Sequence, residues 1–343
     1  MTNILKNKNQ GSQEYQGHPE YPESNDKREI LEGFKSPQKR ISSKYLYDKR
    51  GSELFEQICD LDEYYLTRTE IDILNACVGE VANYISERAT LLEFGSGSSV
   101  KTRILLDQLD TSEAMITYVP IDISKNFLLE TAQKLEKEYT QVRISPICAD
   151  FTQPLSIAEH LTDEEPDKDK KLVFFPGSTI GNFEPEKAQM LLKQTGLLLG
   201  RKGLLLIGVD LIKEASQLEA AYNDAKGVTA AFNLNLLTRL NLEYSADFNL
   251  SQFAHKAVFN RQESRMEMHL VSLTDQWVRI AETPFYLHQG ETIHTENSYK
   301  YDFDAFEKIS QESGFAVIHR WTDPNQLFAV YLLEATSHLS VVH

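Results

Sequence analysis

The sequence has few basic residues for its size. It contains 35 lysines and arginines against 51 aspartates and glutamates, a formal net charge of −16 over 343 residues, and no Lys/Arg-rich run. A protein that binds nucleic acid needs a basic face that displaces counterions from the phosphates. The composition therefore argues against a nucleic-acid partner and favours a small-molecule ligand.

Cysteine and histidine are also scarce. The three cysteines, Cys59, Cys77 and Cys148, form no CxxC pair, so we expect free thiols in a reducing compartment. The nine histidines show no HExxH or HxxxH spacing, so no metal site is expected. The sequence has no run of about 18 apolar residues and no signal-peptide core, which predicts a cytoplasmic protein without a membrane partner. No obligate protein partner is evident.

The first part of the chain is polar. Residues 1–40 contain few apolar anchors and predict a partly disordered extension, with ordered structure beginning near Tyr45. An amphipathic helix is expected next, with Thr69 as its N-cap. Its apolar residues recur at helical spacing: Ile71, Leu74, Val78, Val81 and Ile85.

Apolar runs then alternate with helical segments over residues 90–210. This rhythm predicts a parallel sheet with right-handed crossovers, which is a doubly wound α/β fold. A helix is expected to begin at Pro185, and the charged segment 163–170 is interpreted as a solvated loop. The predicted strands are residues 90–94, 116–121, 142–148, 172–175 and 203–209.

The rhythm changes after Asp210. Two helical stretches, 214–225 and 228–241, precede a predicted hairpin at 255–260 and 264–273, which interrupts the sheet and resembles an inserted lid. The α/β pattern resumes with a helix at 303–314. Two closing strands are expected at 316–321 and 327–333.

A glycine-containing turn follows the first predicted strand. In LLEFGSGS, Glu93 precedes Gly95 and Gly97, and such a turn lets a backbone approach a ligand closely. A dinucleotide fingerprint would place a third glycine at position 100, which is Val100, so a pyrophosphate site is not supported. The motif by itself is compatible with cofactor binding or with a structural turn.

Polar residues end the next three strands. Asp122 and Asp150 lie where carboxylates can accept ribose hydroxyls and the adenine amine, because ligands of open α/β sheets bind beyond the carboxyl ends of strands. Either aspartate can instead cap the following helix. Asn182 ends the run PGSTIGN and is a candidate substrate contact or a capping residue in a tight turn.

Eight segments then carry a specific resemblance, over roughly residues 40–335. The chain resembles the histidine Nα-methyltransferases of ergothioneine biosynthesis. The resemblance implies a Rossmann-like class I methyltransferase core with a second, smaller α+β substrate-binding domain. It also implies S-adenosylmethionine as methyl donor and S-adenosylhomocysteine as product. The segments, in order, are YLYDKRGSELFEQI, DEYYLTRTE, LEFGSGSSVKTR, PGSTIGNF, AYNDAKGVTAAFN, RMEMHL, TENSYKY and WTDP.

The resemblance also assigns a cofactor site. Gly95 and Lys101 would hold the methionine tail, Asp122 the ribose, and Asp150 with Phe151 the adenine. Two further positions complete the set, with Tyr47 over the methyl-transfer centre and Gly177 beside the cofactor.

The substrate residues follow in the same way. Tyr64 and Tyr222 would bind the histidine carboxylate, and Asn182 would contact both the amine and the carboxylate, which makes Tyr47 and Asn182 the catalytic candidates. Glu296 and Ser298 would bind the imidazole, with Thr229 and Met268 lining that pocket. Without the resemblance, Glu296 would be interpreted as a surface residue that pairs with Lys300.

The expected activity is the transfer of three methyl groups to the α-amine of L-histidine, giving hercynine. One alternative is an N-methyltransferase of the same fold that acts on another amino acid, such as a tryptophan derivative. A second is a non-catalytic protein that binds S-adenosylmethionine. The expected domains are an extension (1–40), a substrate-binding domain (41–69 with 211–302) and a methyltransferase core (70–210 with 303–337).

Overall fold

Apolar strands with few polar residues build the central sheet of the protein. The structure, a computed structural model, describes residues 23–85, 88–110, 115–155 and 170–336. The described strands are β1 (Lys39–Arg40), β2 (Arg88–Phe94), β3 (Met115–Asp122), β4 (Arg143–Ile144), β5 (Ile147–Cys148), β6 (Lys170–Phe175), β7 (Leu204–Asp210), β8 (Phe253–Asn260), β9 (Arg265–Ser272), β10 (Gln276–Ile280), β11 (Thr283–Leu287), β12 (Thr292–Tyr299), β13 (Phe315–Thr322) and β14 (Phe328–Ala335).

Helices cover both faces of this sheet and also pack against the strands outside it. The described α-helices are α1 (Glu23–Lys35), α2 (Lys49–Cys59), α3 (Tyr65–Ala82), α4 (Val100–Asp110), α5 (Lys125–Glu138), α6 (Pro185–Leu199), α7 (Ala215–Tyr222), α8 (Val228–Glu243) and α9 (Phe303–Glu312). Proline is the first residue of α6, as predicted.

The larger sheet has eight strands in the order β13-β14-β7-β6-β2-β3-β4, with β5 also paired to β3. The pairs from β7 to β4 are parallel, and β14 inserts antiparallel between β7 and β13. Since β2 lies between β3 and β6, the chain reverses its winding direction beside β2, and ligands of such sheets bind at that point. The predicted Rossmann-like class I methyltransferase core is confirmed.

Neighbouring residues of β2 face opposite sides of the sheet. Leu91 belongs to a buried cluster on one face and Leu92 to a cluster on the other. The first cluster also contains Leu270 of β9 and Ile293 of β12, which belong to a second, smaller sheet. The two sheets therefore share one part of the hydrophobic core.

The smaller sheet has the order β1-β12-β9-β8. The predicted hairpin forms β8 and β9, whereas β12 and the β10–β11 hairpin were not predicted. The pairing of β12 with β9 shifts register between His294 and Glu296, which is a β-bulge. Such an irregularity re-aims the side chains that follow it.

Three predictions need correction. Ordered structure begins before Tyr45, because α1 buries Ile30 and Phe34 to 1% exposure each; residues 1–22 lie outside the described part of the chain. Thr69 does not cap a helix: α3 begins at Tyr65, and the Thr69 hydroxyl donates to the Tyr65 carbonyl at 2.8 Å. The third predicted strand is interrupted between β4 and β5.

The predicted loop at 163–170 lies almost wholly outside the described residues. The predicted domain boundary at 69/70 falls inside α3, and the division into two domains stays a prediction. Among the helices that the structure describes, none is long and apolar enough to cross a membrane.

A glycine in β7 makes room for a buried carboxylate of α3. A Cβ added to Gly208 would collide with Oε1 of Glu70 and lie 2.9 Å from the Phe328 ring. Glu70 is fully buried and accepts hydrogen bonds from the Gly177 amide at 2.9 and 3.0 Å, so it has no room to move.

We therefore expect Gly208→Ala to lower the free energy of unfolding by about 1–3 kcal/mol, the usual cost of overpacking a core. The matched control is Gly79→Ala in α3, where an added Cβ meets nothing within 4 Å. That change should be neutral or stabilising by about 0.5–1 kcal/mol, since alanine favours a helix over glycine. Urea denaturation of both variants measures the difference, and equal stabilities would contradict this account of Gly208.

Candidate active site

The glycine turn after β2 has a backbone that favours glycine. Gly95 and Gly97 have φ values of 71° and 48°, in the left-handed region. The Asp122 carboxylate at the end of β3 accepts hydrogen bonds from the Gly97 amide at 3.2 Å and the Ser124 amide at 2.9 Å. Burial raises the pKa of Asp122. The turn and the strand end are therefore joined through this carboxylate.

Asp150 and Phe151 follow β5. One oxygen of Asp150 accepts from the backbone amide and the hydroxyl of Thr152, at 2.9 and 2.6 Å, so this carboxylate does close a local turn. The Phe151 ring stacks on Phe94 with centroids 5.2 Å apart. A Cβ on Gly95 would lie 3.9 Å from the Phe151 ring, which shows that the two residues face each other.

Lys101 forms an ion pair that the sequence analysis missed. Its Nζ lies 2.5 Å from Oε2 of Glu70, and a Cβ on Gly177 would lie 3.4 Å from the same Nζ. Burial alone would lower the pKa of Lys101, but the Glu70 carboxylate raises it above its ordinary value. The sequence signal for Glu70 was its position, because an acidic residue on the apolar face of a helix indicates a buried charge that needs a partner.

These groups form a candidate cofactor site, which we call the cradle and define as Gly95, Lys101, Asp122, Phe151 and Gly177. Its residues suit S-adenosylmethionine, because glycine backbones leave room for a close approach and a lysine can meet a carboxylate. Asp122 can accept further hydrogen bonds through its remaining lone pairs.

A pocket that is partly open to solvent adjoins this cradle. It brings together every substrate residue predicted from the sequence, and it also includes Tyr47 and Gly177. Gly177 thus belongs to both the cradle and the pocket. The lining residues are Tyr47, Phe55, Ile58, Tyr64, Gly177, Thr179, Asn182, Ala221, Tyr222, Thr229, Phe232, Met268, Glu296 and Ser298.

One wall of the pocket is aromatic. Tyr47 packs edge-on against Phe55 and Phe232, each with centroids 5.6 Å apart, and Tyr64 meets Tyr222 at 6.1 Å. Burial and the charge of Glu296 both raise the pKa of Tyr47 well above its ordinary range. The Tyr47 hydroxyl therefore keeps its proton at neutral pH.

Glu296 follows the bulge in β12 and lies opposite Met268 of β9. Its carboxylate accepts from the Asn182 amide nitrogen at 3.4 Å, and the residue is only 8% exposed. Asn182 approaches β12 because the preceding residue is glycine: a Cβ on Gly181 would lie 2.7 Å from the Tyr299 carbonyl oxygen. Burial raises the pKa of Glu296 to about 7, while the Lys300 charge and the Tyr47 hydroxyl act to lower it.

The interpretation of Glu296 as a surface partner of Lys300 is wrong. Lys300 is fully buried and pairs with Asp210, its Nζ lying 2.7 Å from Oδ2. It also donates to the Ser298 hydroxyl at 2.7 Å and the Tyr222 hydroxyl at 3.1 Å. Asp210, at the end of β7, was a missed strand-end carboxylate of the same kind as Asp122.

Groups assigned to opposite ends of the substrate contact each other directly. The Tyr222 hydroxyl donates to the Ser298 oxygen at 2.9 Å, and Asn182 donates to Glu296. Thr229 and Met268 are buried in the lining, and the Thr229 amide donates to Asp224 at 2.8 Å. The arrangement offers hydroxyl, amide and carboxylate groups to a compact polar ligand.

The pKa of Glu296 makes stability depend on pH. A carboxyl whose folded pKa is raised stabilises the folded state below its unfolded value of 4.5, and this contribution is lost as the pH rises to about 7. We therefore expect Glu296→Gln to be more stable than the parent at pH 8 by up to about 3 kcal/mol, and no more stable at pH 4. Thermal unfolding across this range measures the difference, and a pH-independent gap would contradict the raised pKa of Glu296.

The chain is similar to known proteins over most of its length. A family model described as histidine-specific, S-adenosylmethionine-dependent methyltransferase matches residues 26–335. The chain is 38% identical over 308 residues to a histidine N-alpha-methyltransferase of Mycolicibacterium smegmatis, covering 89% of this chain and 94% of that protein. It is 40% identical over 300 residues to the protein of that name in Mycobacterium tuberculosis, covering 87% and 91%.

A longer relative matches through part of its length. Over 323 residues the chain is 30% identical to ergothioneine biosynthesis protein 1 of Neurospora crassa, covering 93% of this chain and 36% of that protein. The family match spans nearly all of the residues that build the cradle, the pocket and both sheets. The chain therefore belongs to the family of histidine-specific, S-adenosylmethionine-dependent methyltransferases.

Proposed function

We propose that this protein transfers three methyl groups in succession from S-adenosylmethionine to the α-amine of L-histidine, giving hercynine in ergothioneine biosynthesis. The observation that carries the proposal is the pocket itself: the buried Glu296 carboxylate lines it, and so does Gly177, which it shares with the cofactor cradle. The names of the mycobacterial and Neurospora relatives support the same activity.

In this proposal the cradle holds the methyl donor. Asp122 binds the ribose, Asp150 and Phe151 bind the adenine, and Gly95 with Lys101 binds the methionine tail. Lys101 can still bind a carboxylate, because an ammonium has three donors and Glu70 uses one of them. The sulfonium of S-adenosylmethionine supplies an electrophilic methyl group.

The pocket residues hold and orient the amino acid. Tyr64 and Asn182 bind its amine and carboxylate, and the Tyr222 hydroxyl, whose hydrogen goes to Ser298, can only accept from the amine. Glu296 and Ser298 bind the imidazole. Thr229 and Met268 form the wall beside the ring. A polar pocket of this kind rejects amino acids that leave its buried groups unpaired, which favours histidine over tryptophan derivatives.

Alignment supplies much of the acceleration, because the reaction is an in-line displacement between two bound groups. The amine must lose a proton before each transfer. Tyr47 keeps its own proton at neutral pH, so we assign it the role of relaying that proton through its hydroxyl rather than that of a base. Its ring, with those of Phe55 and Phe232, also favours the cationic products electrostatically.

A cytoplasmic location stays a prediction, as does the absence of nucleic-acid, membrane and obligate protein partners. The acidic composition argues against a nucleic-acid partner, because a protein with net charge −16 repels phosphate. The alternatives of another amino-acid substrate and of a non-catalytic binding protein are separated by the next experiment.

Incubation with methyl-labelled S-adenosylmethionine and each amino acid in turn should label histidine alone. Mass spectrometry should show mono-, di- and trimethylated products, with every methyl group on the α-nitrogen, because the imidazole is held by Glu296 and Ser298. Label on a tryptophan derivative would favour the first alternative, and binding without turnover would favour the second. Methyl groups on an imidazole nitrogen would reverse the proposed orientation.

The cofactor site has its own test. Asp122→Ala should weaken S-adenosylmethionine binding by about 1.5–3 kcal/mol, because the ribose loses an ionised hydrogen-bond acceptor. The matched control is Asp72→Ala, which removes an exposed carboxylate of α3 and should leave binding unchanged. Isothermal calorimetry measures both, and an Asp122→Ala protein with the parent's affinity would show that the ribose binds elsewhere.

A further inference from the structure

Lys300 is a buried cation directly behind the pocket. Its side chain has no exposed surface, and its ammonium has three acceptors within hydrogen-bond distance. These are Oδ2 of Asp210 at 2.7 Å, the Ser298 hydroxyl at 2.7 Å and the Tyr222 hydroxyl at 3.1 Å. An ammonium has three donors, so all three are used within the protein. Lys300 is left with nothing to donate to a ligand.

Asp210 keeps Lys300 charged. Burial alone would raise the pKa of Asp210, but Lys300 and Lys213 hold it below its ordinary value. Conversely, burial would lower the pKa of Lys300, and the Asp210 carboxylate raises it. Asp210 also accepts from the Tyr65 hydroxyl at 2.8 Å and from Lys213 at 2.5 Å. The pair is therefore ionised and fully hydrogen-bonded, as a buried pair must be.

The hydroxyl of Ser298 has a fixed polarity as a result. A serine oxygen has two lone pairs and one hydrogen. Lys300 donates to this oxygen, and the Tyr222 hydroxyl donates to it at 2.9 Å. With both lone pairs occupied, Ser298 can act only as a donor towards the pocket that it lines. Glu296, when ionised, can act only as an acceptor in the same pocket.

We propose that Lys300 is a specificity-determining positioning residue, which fixes Ser298 as a donor so that the pocket binds a single neutral tautomer of the imidazole. The ring must present one bare nitrogen to Ser298 and one N–H to Glu296. This inference rests on the proposed function. Rings that lack the bare nitrogen, such as indole and phenyl, leave the Ser298 hydrogen without an acceptor.

Lys213 provides a matched control. It is the second buried lysine on Asp210, and it also contacts the Tyr65 hydroxyl at 2.6 Å. Lys213 donates to Tyr65, Asp210 and the Leu211 carbonyl, whereas Lys300 donates to Ser298 and Tyr222. Lys300→Met and Lys213→Met each leave Asp210 with one lysine and Tyr65. A difference between the two variants therefore reports on the pocket hydroxyls rather than on the buried charge.

A double-mutant cycle tests the inference. We expect Lys300→Met to raise KM for histidine at least 10-fold with a smaller change in kcat, and Lys213→Met to change it less than 3-fold. Ser298→Ala should resemble Lys300→Met, and the double variant should be no worse than Ser298→Ala alone, because Lys300 acts through Ser298. Both lysine variants should lose stability, because each removes one of the two buried lysines that pair with Asp210, while S-adenosylmethionine binding should stay near the parent's value. The proposal would be overturned if the effects of Lys300→Met and Ser298→Ala on KM were additive. It would also be overturned if the two lysine variants raised KM equally.

A measurement on the unaltered protein avoids any folding defect of the variants. L-Histidine labelled with ¹⁵N in the ring is bound in the presence of S-adenosylhomocysteine at pH 8, and its ring nitrogens are observed by NMR. We expect one protonated and one bare nitrogen, in a single tautomer. An imidazolium or a mixture of tautomers would overturn the inference while leaving the proposed function intact. A failure to bind histidine would overturn both.

Discussion

The buried carboxylate of Asp210 connects the large sheet with the small one. It ends β7 of the core, and its oxygens meet Tyr65 of α3, Lys213 and Lys300, the residue that follows β12. Breaking a buried pair leaves an uncompensated charge, which costs about 3–5 kcal/mol. Asp210 therefore helps to hold β12, and with it Glu296 and Ser298, against the core, together with the contacts that Gly181 and Asn182 make with this strand.

Three buried carboxylates lie in or beside the site, and they differ in how fully they are paired within the protein. Asp210 is paired with two lysines, and Glu70 is paired with Lys101 and the Gly177 amide. Among the residues that the structure describes, Glu296 pairs with no lysine or arginine; the Asn182 amide at 3.4 Å and the Tyr47 hydroxyl contact it, and burial raises its pKa. Structural carboxylates are thus satisfied within the protein, whereas the one that lines the pocket has hydrogen-bonding capacity left for a ligand.

The core was predictable because buried parallel strands are continuous apolar runs, as in β6 and β7. Strand β12 was missed because most of its buried residues are polar and show no alternation, and α1 because it has only three apolar residues among thirteen. The ion pairs of Glu70 with Lys101 and of Lys300 with Asp210 could not be predicted, since the partner of a buried charge is set by tertiary contacts. Asn182 and Glu296, 114 residues apart, were grouped only through the family resemblance.

The fixed main chain at Gly177 affects a reaction that adds several methyl groups to the same nitrogen. Its amide is held by both oxygens of the immobile Glu70 carboxylate, so this side of the pocket is rigid main chain. Under the proposed function, each added methyl group enlarges the amine by a fixed volume that this side cannot absorb. The extra volume must be taken up on the side of Tyr47, Phe55 and Phe232. The shape of that aromatic wall then sets how many methyl groups the nitrogen receives before the product leaves.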